Sequence, residues 1–291
     1  MKILLTGKTG QLGQAFLNQA SNFKFDVRGY TKRKLNITNA SKIDEYVKKI
    51  KPQIIINTAA YHVLSECEKS PRKAFEVNAY ALKDLATICK KNNIMLITFS
   101  TELIFDGLKG SAYNEDDKPN PLMIYGVSKL AGELFALNYN SKTLVIRTTG
   151  LYGGLHGSRS KKGNFVLKIL SEAKKTQDIK ISSEQTISPT YTEDLAESVL
   201  KLIRKNPQSG VYHLTNSGQC SWAQFAQAIV KNYDLKLKII PYNKGGIIEG
   251  YKKPLFAVLE NKKAKRLGVY LPTWEDGLKR YLSFLKENMV F

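Results

Sequence analysis

A tyrosine and a lysine four residues apart form the pair in this sequence that is best suited to chemistry. Tyr125 and Lys129 occur in Tyr-Gly-Val-Ser-Lys, at the start of a predicted helix, and a spacing of four places both side chains on one helix face. A lysine ammonium beside a phenol favours the phenolate, so we expect Lys129 to lower the pKa of Tyr125 from about 10. Such a phenol can donate a proton to a carbonyl oxygen while a hydride reaches the carbon. Thr101, at the end of a predicted strand, is expected to supply a second donor to that oxygen, so the predicted catalytic residues are Thr101, Tyr125 and Lys129.

A glycine-rich loop near the start of the chain predicts where the hydride donor binds. Gly7, Gly10 and Gly13 are spaced three apart, directly after a predicted strand over 3–5 and at the start of a predicted helix. Glycine here allows a tight turn and lets the backbone approach a pyrophosphate, which then lies at the helix N-terminus. The glycine pattern alone is weak evidence, but it stands in the strand–loop–helix context that dinucleotide binding requires. The predicted contacts in this loop are Gly7, Thr9, Gly10, Gln11, Leu12 and Gly13.

The residues after the second predicted strand bear on the choice of cofactor. An acidic residue there would bind the ribose hydroxyls of NAD, and the stretch Gly-Tyr-Thr-Lys-Arg at 29–33 contains none. Lys32 and Arg33 can pair with the 2′-phosphate of NADP, although two cations also suit an ordinary surface. We therefore favour NADP(H) as the cofactor and leave NAD(H) open. The other predicted cofactor contacts are Asn36, Ile37, Ala59, Ala60, Tyr61 and Ser100, together with Tyr125 and Lys129.

The scaffold that must position these residues is predicted by the alternation of strands and helices. Predicted strands over 3–5, 25–30, 54–57, 95–100 and 144–147 alternate with predicted helices near 14–20, 40–50, 71–92 and 125–138. This alternation predicts an α/β fold with a doubly wound parallel sheet of the Rossmann type. Later helices are predicted near 165–175, 192–204 and 222–232, with a strand over 212–215 and a final helix that opens at Trp274. We expect a dinucleotide-binding domain over 1–149, joined by 180–215, and a smaller, interleaved substrate-binding region over 150–291.

Composition and charge limit the compartment and the partners. The net charge is +20, but the lysines are spread along the chain without a dense basic tract interleaved with aromatics, so anionic small molecules suit it better than nucleic acid. The apolar runs are too short to span a bilayer, and the start lacks the pattern of a secretory signal. The three cysteines are widely spaced, which argues against a disulfide framework and a zinc site. We expect a cytoplasmic protein without a metal centre.

Taken together, these motifs resemble the extended short-chain dehydrogenase/reductases, and within them the dTDP-4-dehydrorhamnose reductases. The resemblance covers nearly the whole chain. It rests on GKTGQLG at 7–13 preceded by the first strand, NTAAY at 57–61, VNA at 77–79, STELIFDG at 100–107, YGVSK at 125–129, GNFV at 163–166, SPTYTEDLA at 188–196 and the helix led by Trp274. It implies reduction of the C4 ketone of a 4-keto-6-deoxy sugar attached to a nucleoside diphosphate. It also implies that Tyr125 donates the proton, that Lys129 binds the cofactor ribose and lowers the pKa of Tyr125, and that Thr101 contacts the substrate oxygen.

Three departures from the family pattern fall near the expected sugar pocket. Glu102 replaces an Asp, Gly150 stands where the family has a sugar-stacking Trp, and Ser65 replaces another Asp. We therefore expect altered sugar specificity, with dTDP-4-dehydrorhamnose a weak substrate, unless His62 or Tyr152 refills the space. The predicted substrate residues are Thr101, Glu102, His62, Gly150 and Asn164.

Two other functions stay open at this stage, as does a homodimer. A non-catalytic NADP-binding regulatory subunit is the alternative from another class, although the presence of Tyr125 and Lys129 argues against it. A sugar-nucleotide epimerase or 4,6-dehydratase is the second alternative. A dehydratase needs an adjacent Asp-Glu pair after the Thr, whereas Glu102 is followed by Leu103.

Overall fold

The fold is seen in a computed structural model that describes residues 1–155, 157, 163–243, 245, 247–248 and 251–288. The glycine-rich stretch from 150 to 163, whose composition predicts a loop, therefore lies partly outside the described residues, at 156 and 158–162. Within the described part of the chain, no helix is both long enough and apolar enough to cross a membrane.

Single strands are separated by one or more helices over most of the first half of the chain. In chain order they are β1 (Lys2–Thr6), α1 (Gln11–Gln19), β2 (Asp26–Tyr30), α2 (Ala40–Ile50), β3 (Ile54–Asn57), α3 (Leu64–Lys69), α4 (Pro71–Phe75), α5 (Ala81–Lys91), β4 (Met95–Thr101), α6 (Ile124–Tyr139), β5 (Thr143–Thr148) and β6 (Leu151–Tyr152). A π-helical turn at Glu76–Tyr80 separates α4 from α5, and 3₁₀ turns follow α1 and β4.

The second half of the chain contains shorter strands between its helices. In chain order its elements are α7 (Phe165–Glu172), β7 (Asp178–Ser182), β8 (Thr186–Ile187), β9 (Thr190–Tyr191), α8 (Thr192–Arg204), β10 (Gly210–His213), β11 (Cys220–Ser221), α9 (Trp222–Tyr233), β12 (Lys238–Tyr242), β13 (Ile247–Ile248), β14 (Tyr251–Lys252), α10 (Lys262–Arg266) and α11 (Trp274–Glu287).

A six-stranded parallel sheet forms the centre of the molecule. Its strands lie in the order β2-β1-β3-β4-β5-β10, and every neighbouring pair is parallel. The direction of winding reverses between β1 and β3, which makes the carboxyl ends of these two strands the switch point where α/β sheets bind ligands. At that edge Thr6 is in register with Asn57, and its hydroxyl donates to Asn57 Oδ1 at 2.6 Å.

Alternate residues of the strands build two cores, one on each face of the sheet. Ile3 and Leu5 point to the face covered by α1 and α8, whereas Leu4 and Ile55 point to the face covered by α2 and α5. Both faces are therefore buried, as strands of nearly continuous Ile and Leu require. The predicted fold class, a doubly wound parallel sheet of the Rossmann type, is confirmed.

A third core lies outside the sheet and joins α7, α9 and the terminal helix α11 around aromatic side chains. Tyr152 and Tyr281 are both fully buried within it. The buried carboxylate of Asp194 on α8 accepts two hydrogen bonds from Arg280 on α11, both at 2.8 Å. This ion pair ties the terminal helix to the helix that covers the sheet.

The predicted elements agree with the structure where the local pattern is strong. The strand at 54–57 and the helices at 40–50 and 192–204 have the predicted bounds, and other predicted ends differ by a few residues. The single helix predicted near 71–92 is wrong in detail, because the π-helical turn interrupts it. The segment 180–215 supplies β10 to the central sheet and α8 to one of the faces of that sheet. Its first residues belong to β7, which pairs with β12 outside the central sheet. The division of the chain into two domains stays a prediction.

Candidate active site

The glycine loop sits at the switch point and is shaped by close backbone contacts. Gly7 has a φ of +73°, and a Cβ there would lie 2.7 Å from Thr58 Oγ1 on the loop after β3. A Cβ on Gly13 would collide with the carbonyl oxygen of Gly7. Glycine is therefore required at both positions, one for the left-handed turn and one for the close approach of α1.

The N-terminus of α1 opens into this loop without a capping side chain, because its N-cap residue is Gly10. The first backbone N–H groups of a helix have no partner within the helix, so those of Gln11 and Leu12 can bind the oxygens of a pyrophosphate. The Leu12 side chain is buried in the core, whereas Gln11 donates from Nε2 to the carbonyl oxygen of Leu151 at 3.2 Å. The loop fits a dinucleotide phosphate, which is the group predicted from its sequence.

The segment after β2 presents two exposed cations at the same edge of the sheet. Lys32 and Arg33 are both exposed, and the stretch from 29 to 33 offers no acid. Asn36 is half-buried, and its Oδ1 accepts a hydrogen bond from Thr38 N at 3.3 Å. Ile37 is buried in the core under α2, so its side chain contributes packing.

The loop after β3 carries Ala59, Ala60, Tyr61 and His62, all half-buried. Its conformation is held by Asn78, whose Oδ1 accepts from Tyr61 N at 2.9 Å and whose Nδ2 donates to Tyr61 O at 2.8 Å. Asn78 is buried in the π-helical turn, a feature that often marks functional sites. Sequence reasoning missed this role, because the turn looks like ordinary helix.

The end of β4 contributes Ser100, Thr101 and Glu102. Ser100 is buried, and its hydroxyl has no hydrogen-bond partner among the described residues. The Thr101 hydroxyl donates to Glu102 Oε2 at 2.7 Å and accepts from Leu103 N at 3.2 Å. In the protein alone, the Thr101 proton is therefore directed at Glu102, and a substrate oxygen must compete for it.

Helix α6 carries Tyr125 and Lys129 and packs unusually close to its neighbours. A Cβ on Gly126 would collide with Leu103 O, and a Cβ on Gly132 would collide with Asn78 O. These two glycines bring the helix backbone against the end of β4 and against the π-helical turn. The structure thus brings Thr101 within hydrogen-bonding reach of the Tyr125 phenol, and Lys129 follows one turn later on the same helix.

The prediction that Lys129 lowers the pKa of Tyr125 is wrong for the protein alone. Burial raises the pKa of Tyr125 above its ordinary value, and the negative charge of Glu102 raises it further, while the hydrogen-bonding contact between Tyr125 and Thr101 acts in the opposite direction. Lys129 is only 6% exposed, and burial lowers its pKa to about 8, against a smaller opposing effect of Glu133. At neutral pH the phenol is therefore protonated, as a proton donor must be.

A buried ion pair lies one turn beyond Lys129. Glu133 binds Arg147 of β5 through both carboxylate oxygens, with the shortest contact at 2.7 Å, and both side chains are buried. The Arg147 guanidinium also lies over the ring of Phe105, 5.4 Å from its centroid. Because Glu133 is engaged by Arg147, its effect on Lys129 acts through charge at a distance.

Two of the predicted substrate residues, Gly150 and Asn164, lie in the second half of the chain. Both are in close contact with neighbouring segments of the protein. Gly150 has a φ of +57°, and a Cβ there would lie 3.1 Å from Ile187 Cδ1 and 3.2 Å from Pro189 Cα. A side chain here would therefore begin in close contact with the Ile187–Pro189 segment. That the missing aromatic ring leaves room for a different sugar stays a prediction. Tyr152 cannot refill the pocket, since its side chain is buried in the third core.

Asn164 caps helix α7, and its amide is heavily used. Its Oδ1 accepts from Leu167 N at 3.0 Å, while its Nδ2 donates to Gly153 O at 3.2 Å and to Tyr281 Oη at 3.0 Å. These contacts hold the start of α7 against Gly153 and the terminal helix α11. Direct contact of Asn164 or of His62 with a sugar stays a prediction. Within the described residues, no cluster of three or more His, Cys, Asp or Glu could hold a metal ion.

Comparison with known proteins gives matches over almost the full length of the chain. Residues 1–287 match the family model described as RmlD substrate binding domain. The spore coat polysaccharide biosynthesis protein SpsK of Bacillus subtilis is 33% identical over 97% of this chain and 96% of its own.

Solved structures agree with that match. A dTDP-4-dehydrorhamnose reductase from Clostridium acetobutylicum superimposes with a TM-score of 0.91 at 32% identity. The match covers 98% of this chain and 100% of that one. The dTDP-4-dehydrorhamnose reductase from Bacillus anthracis, solved in complex with NADP, also gives a TM-score of 0.91, at 31% identity over 97% of this chain and 99% of that one.

Proposed function

Because this chain belongs to the RmlD substrate-binding-domain family, we propose that it is an NADP(H)-dependent reductase of a nucleotide-linked 4-keto-6-deoxy sugar. Its product would be a deoxysugar precursor for polysaccharide synthesis. The observation that carries the proposal is the meeting of three features at one edge of the sheet: an uncapped helix N-terminus behind Gly7, the hydroxyl of Thr101, and the pair Tyr125 and Lys129 on α6. The relatives named as dTDP-4-dehydrorhamnose reductases support the substrate class.

In this proposal the reaction divides between the cofactor and the side chains of the site. The hydride for the C4 carbon of the sugar would come from NADPH held at the N-terminus of α1. Tyr125, protonated because burial and Glu102 raise its pKa, donates its proton to the C4 oxygen. We assign to Lys129, one turn further along α6, the binding of ribose hydroxyls and the stabilisation of the phenolate that remains. Thr101 donates a hydrogen bond to the same substrate oxygen once its hydroxyl no longer donates to Glu102.

The choice of NADP(H) is supported by the exposed cations after β2. Lys32 and Arg33 can bind a 2′-phosphate, and no acid within 29–33 would repel it. We expect NADPH to bind more tightly than NADH in a calorimetric titration at moderate salt. The double substitution Lys32→Glu with Arg33→Glu should reverse the preference, whereas the charge-matched control Lys90→Glu with Lys91→Glu, on exposed positions of α5, should leave it unchanged. Equal binding of the two cofactors by the unsubstituted protein would contradict the assignment.

The reductase proposal is tested by following NADPH absorbance with 4-keto sugar nucleotides. Tyr125→Phe removes only the phenolic oxygen, so cofactor binding should persist while turnover falls about 10²–10⁴-fold, as for loss of a general acid. Tyr270→Phe is the matched control, because that side chain is 66% exposed and lies outside the site. If Tyr125→Phe retained turnover within a few-fold of the original protein, Tyr125 would not be the proton donor.

The identity of the sugar is a finer part of the proposal. Glu102 reaches further than an Asp would, and the Ile187–Pro189 segment fills the position beside Gly150. We propose that the pocket disfavours dTDP-4-dehydrorhamnose relative to another nucleotide-linked keto sugar. A kcat/KM for dTDP-4-dehydrorhamnose of about 10⁴–10⁸ M⁻¹s⁻¹, the usual range for natural substrates, would refute altered specificity and leave the reductase activity standing.

We also propose that the chain forms a homodimer through the outward face of α6. The charged residues of this 16-residue helix are Lys129 and Glu133, and both are buried. Its outward face instead presents Val127 and Leu134 to solvent. In a chain of net charge +20, an uncharged apolar face lets a second copy approach without the repulsion that other surfaces would impose.

Light scattering after gel filtration tests the dimer. Leu134→Glu should give a monomer, whereas Leu108→Glu, at a position 83% exposed and away from α6, should leave the mass unchanged. A monomeric mass for the unsubstituted protein at micromolar concentration would refute the interface.

The three cysteines are buried free thiols, which supports placing the protein in the reducing cytoplasm.

A further inference from the structure

The helix that carries Tyr125 is capped by a carboxylate from a different helix. Glu68 on α3 accepts a hydrogen bond at Oε1 from the backbone N–H of Ile124, at 2.7 Å. Ile124 is the first residue of α6 and directly precedes Tyr125, and the N-cap residue Met123 makes no side-chain capping bond of its own. We infer that Glu68 is a positioning residue that fixes the first turn of α6, and with it the direction of the Tyr125 phenol. This inference rests on the proposed reductase function and adds a residue to it.

The strength of this contact follows from where it is made. The first backbone N–H groups of a helix lack partners within the helix, and the helix dipole gives that end a partial positive charge. A carboxylate that accepts such an N–H forms a shorter and stronger bond than a neutral oxygen. Tyr125 belongs to the same first turn, so fraying of that turn would move the phenol, whereas Lys129 lies one turn further into the helix.

The same small helix also touches the loop predicted to bind the cofactor. Cys67, next to Glu68, is buried and contacts Tyr61 O through Sγ at 3.5 Å. Helix α3 therefore connects the loop after β3 with the N-terminus of α6. Glu68 therefore links the position of the proton donor to the loop predicted to bind the cofactor.

A second connection reaches the same turn of α6 through Asn78 and Ser128. Asn78 Nδ2 donates to Ser128 Oγ at 3.0 Å, and Ser128 Oγ donates to Tyr125 O at 2.8 Å. Asn78 also binds both backbone groups of Tyr61. The backbone on either side of Tyr125 is thus attached to one loop by two separate routes, and Glu68 is the route that carries a charge.

Three variants separate positioning from general stability. Glu68→Ala should lower kcat about 10–100-fold, the scale expected when a catalytic group is misplaced by about 1 Å, with little change in the KM for NADPH. Glu68→Gln keeps an oxygen acceptor on a side chain of equal length, and should recover most of the activity. Thr273→Ala removes the cap of α11, where Thr273 Oγ1 accepts from Asp276 N at 3.3 Å, and should leave kcat unchanged.

Two measurements report on the turn itself, with dTDP-4-dehydrorhamnose and NADPH as the assay pair. The solvent deuterium isotope effect on kcat should rise in Glu68→Ala, because transfer of the Tyr125 proton becomes slower, and it should not change in Thr273→Ala. Amide hydrogen exchange at Ile124 should become faster in Glu68→Ala, since the bond to the carboxylate is lost.

The outcomes distinguish a failed inference from a failed function. If the unsubstituted protein is active and Glu68→Ala keeps its full kcat and isotope effect, the positioning role of Glu68 is refuted while the reductase function stands. If the unsubstituted protein reduces neither this sugar nor other keto sugar nucleotides, the proposed function fails. Amide exchange at Ile124 then decides the cap alone: faster exchange in Glu68→Ala supports it, and equal exchange refutes it.

Discussion

The buried ammonium of Lys129 should make the protein less stable at neutral pH than it would be without that charge. Its pKa is lowered from 10.5 to about 8 in the folded chain, because burial disfavours the charged form. Such a depression corresponds to about 3 kcal/mol of folding free energy. The unfolded chain binds more protons between these two values, so this contribution makes stability rise with pH from about 8 to about 10.5.

The substitution Lys129→Met removes the charge and keeps a flexible side chain of similar length. We compare the free energy of unfolding of the variant with that of the original protein. At pH 7 this difference should favour the variant by up to about 3 kcal/mol more than it does at high pH. By pH 10 the gap should have narrowed by about 2 kcal/mol, since Lys129 is then neutral in the folded state and has begun to lose its proton in the unfolded state. Turnover should fall at the same time, which would make Lys129 a site where function is kept at the expense of stability.

Urea unfolding of both proteins without cofactor, at several values between pH 7 and 10, measures the gap. Titration of the other lysines and tyrosines cancels in the difference between the two proteins. Lys90→Met, at an exposed position of α5, is the control and should show a difference that does not depend on pH. A gap between Lys129→Met and the original protein that stays constant from pH 7 to pH 10 would refute the reasoning, because it would mean that the ammonium is not penalised by burial.

Three further predictions concern neighbours of the catalytic pair. Glu102→Gln removes a negative charge that helps to raise the pKa of Tyr125, so the basic limb of the kcat–pH profile should move to lower pH; an unmoved limb would exclude this effect. Gly132→Ala places a Cβ against Asn78 O and should cost about 1–3 kcal/mol in urea unfolding while lowering kcat, and a fully stable, active variant would show that α6 can shift without consequence. Gly150→Ala should lower the free energy of unfolding by about 1–3 kcal/mol, which is more than Gly110→Ala. Both glycines have positive φ, but only at Gly150 does a Cβ meet Ile187 and Pro189. Equal losses of stability in the two variants would show that this contact has no effect.

Features set by short stretches of sequence could be predicted from the chain alone. The loop at Gly7 to Gly13 and the spacing of Tyr125 and Lys129 are local patterns, and the structure places both at the edge of the sheet expected for them. The buried strands could be recognised because parallel strands covered on both faces consist almost entirely of apolar residues, as β3 does.

Features set by contacts between distant segments could not be predicted. The pKa of Tyr125 depends on its burial and on Glu102 at the end of β4, and no spacing rule reveals either. Glu68 meets Ile124 across 56 residues of sequence, and Asn78 meets Ser128 across 50. Gly150 is approached closely by Ile187 and Pro189, from a segment almost 40 residues later in the chain. The two-residue strands of the second half were missed because they are too short to show a period.

The position of β10 at the edge of the parallel sheet has a consequence for the protein while it is being made. The strand β5 ends at Thr148, but its partner β10 ends only at His213, and α8, which covers one face of the sheet, lies between them. At a synthesis rate of about 5–20 residues per second, the ribosome needs roughly 3–13 s to extend the chain across this interval. During that time the nascent chain carries an unpaired strand edge and an uncovered apolar sheet face, both of which invite pairing with other chains. Chaperones that bind nascent chains should therefore engage this protein most strongly when between about 150 and 210 residues have left the ribosome.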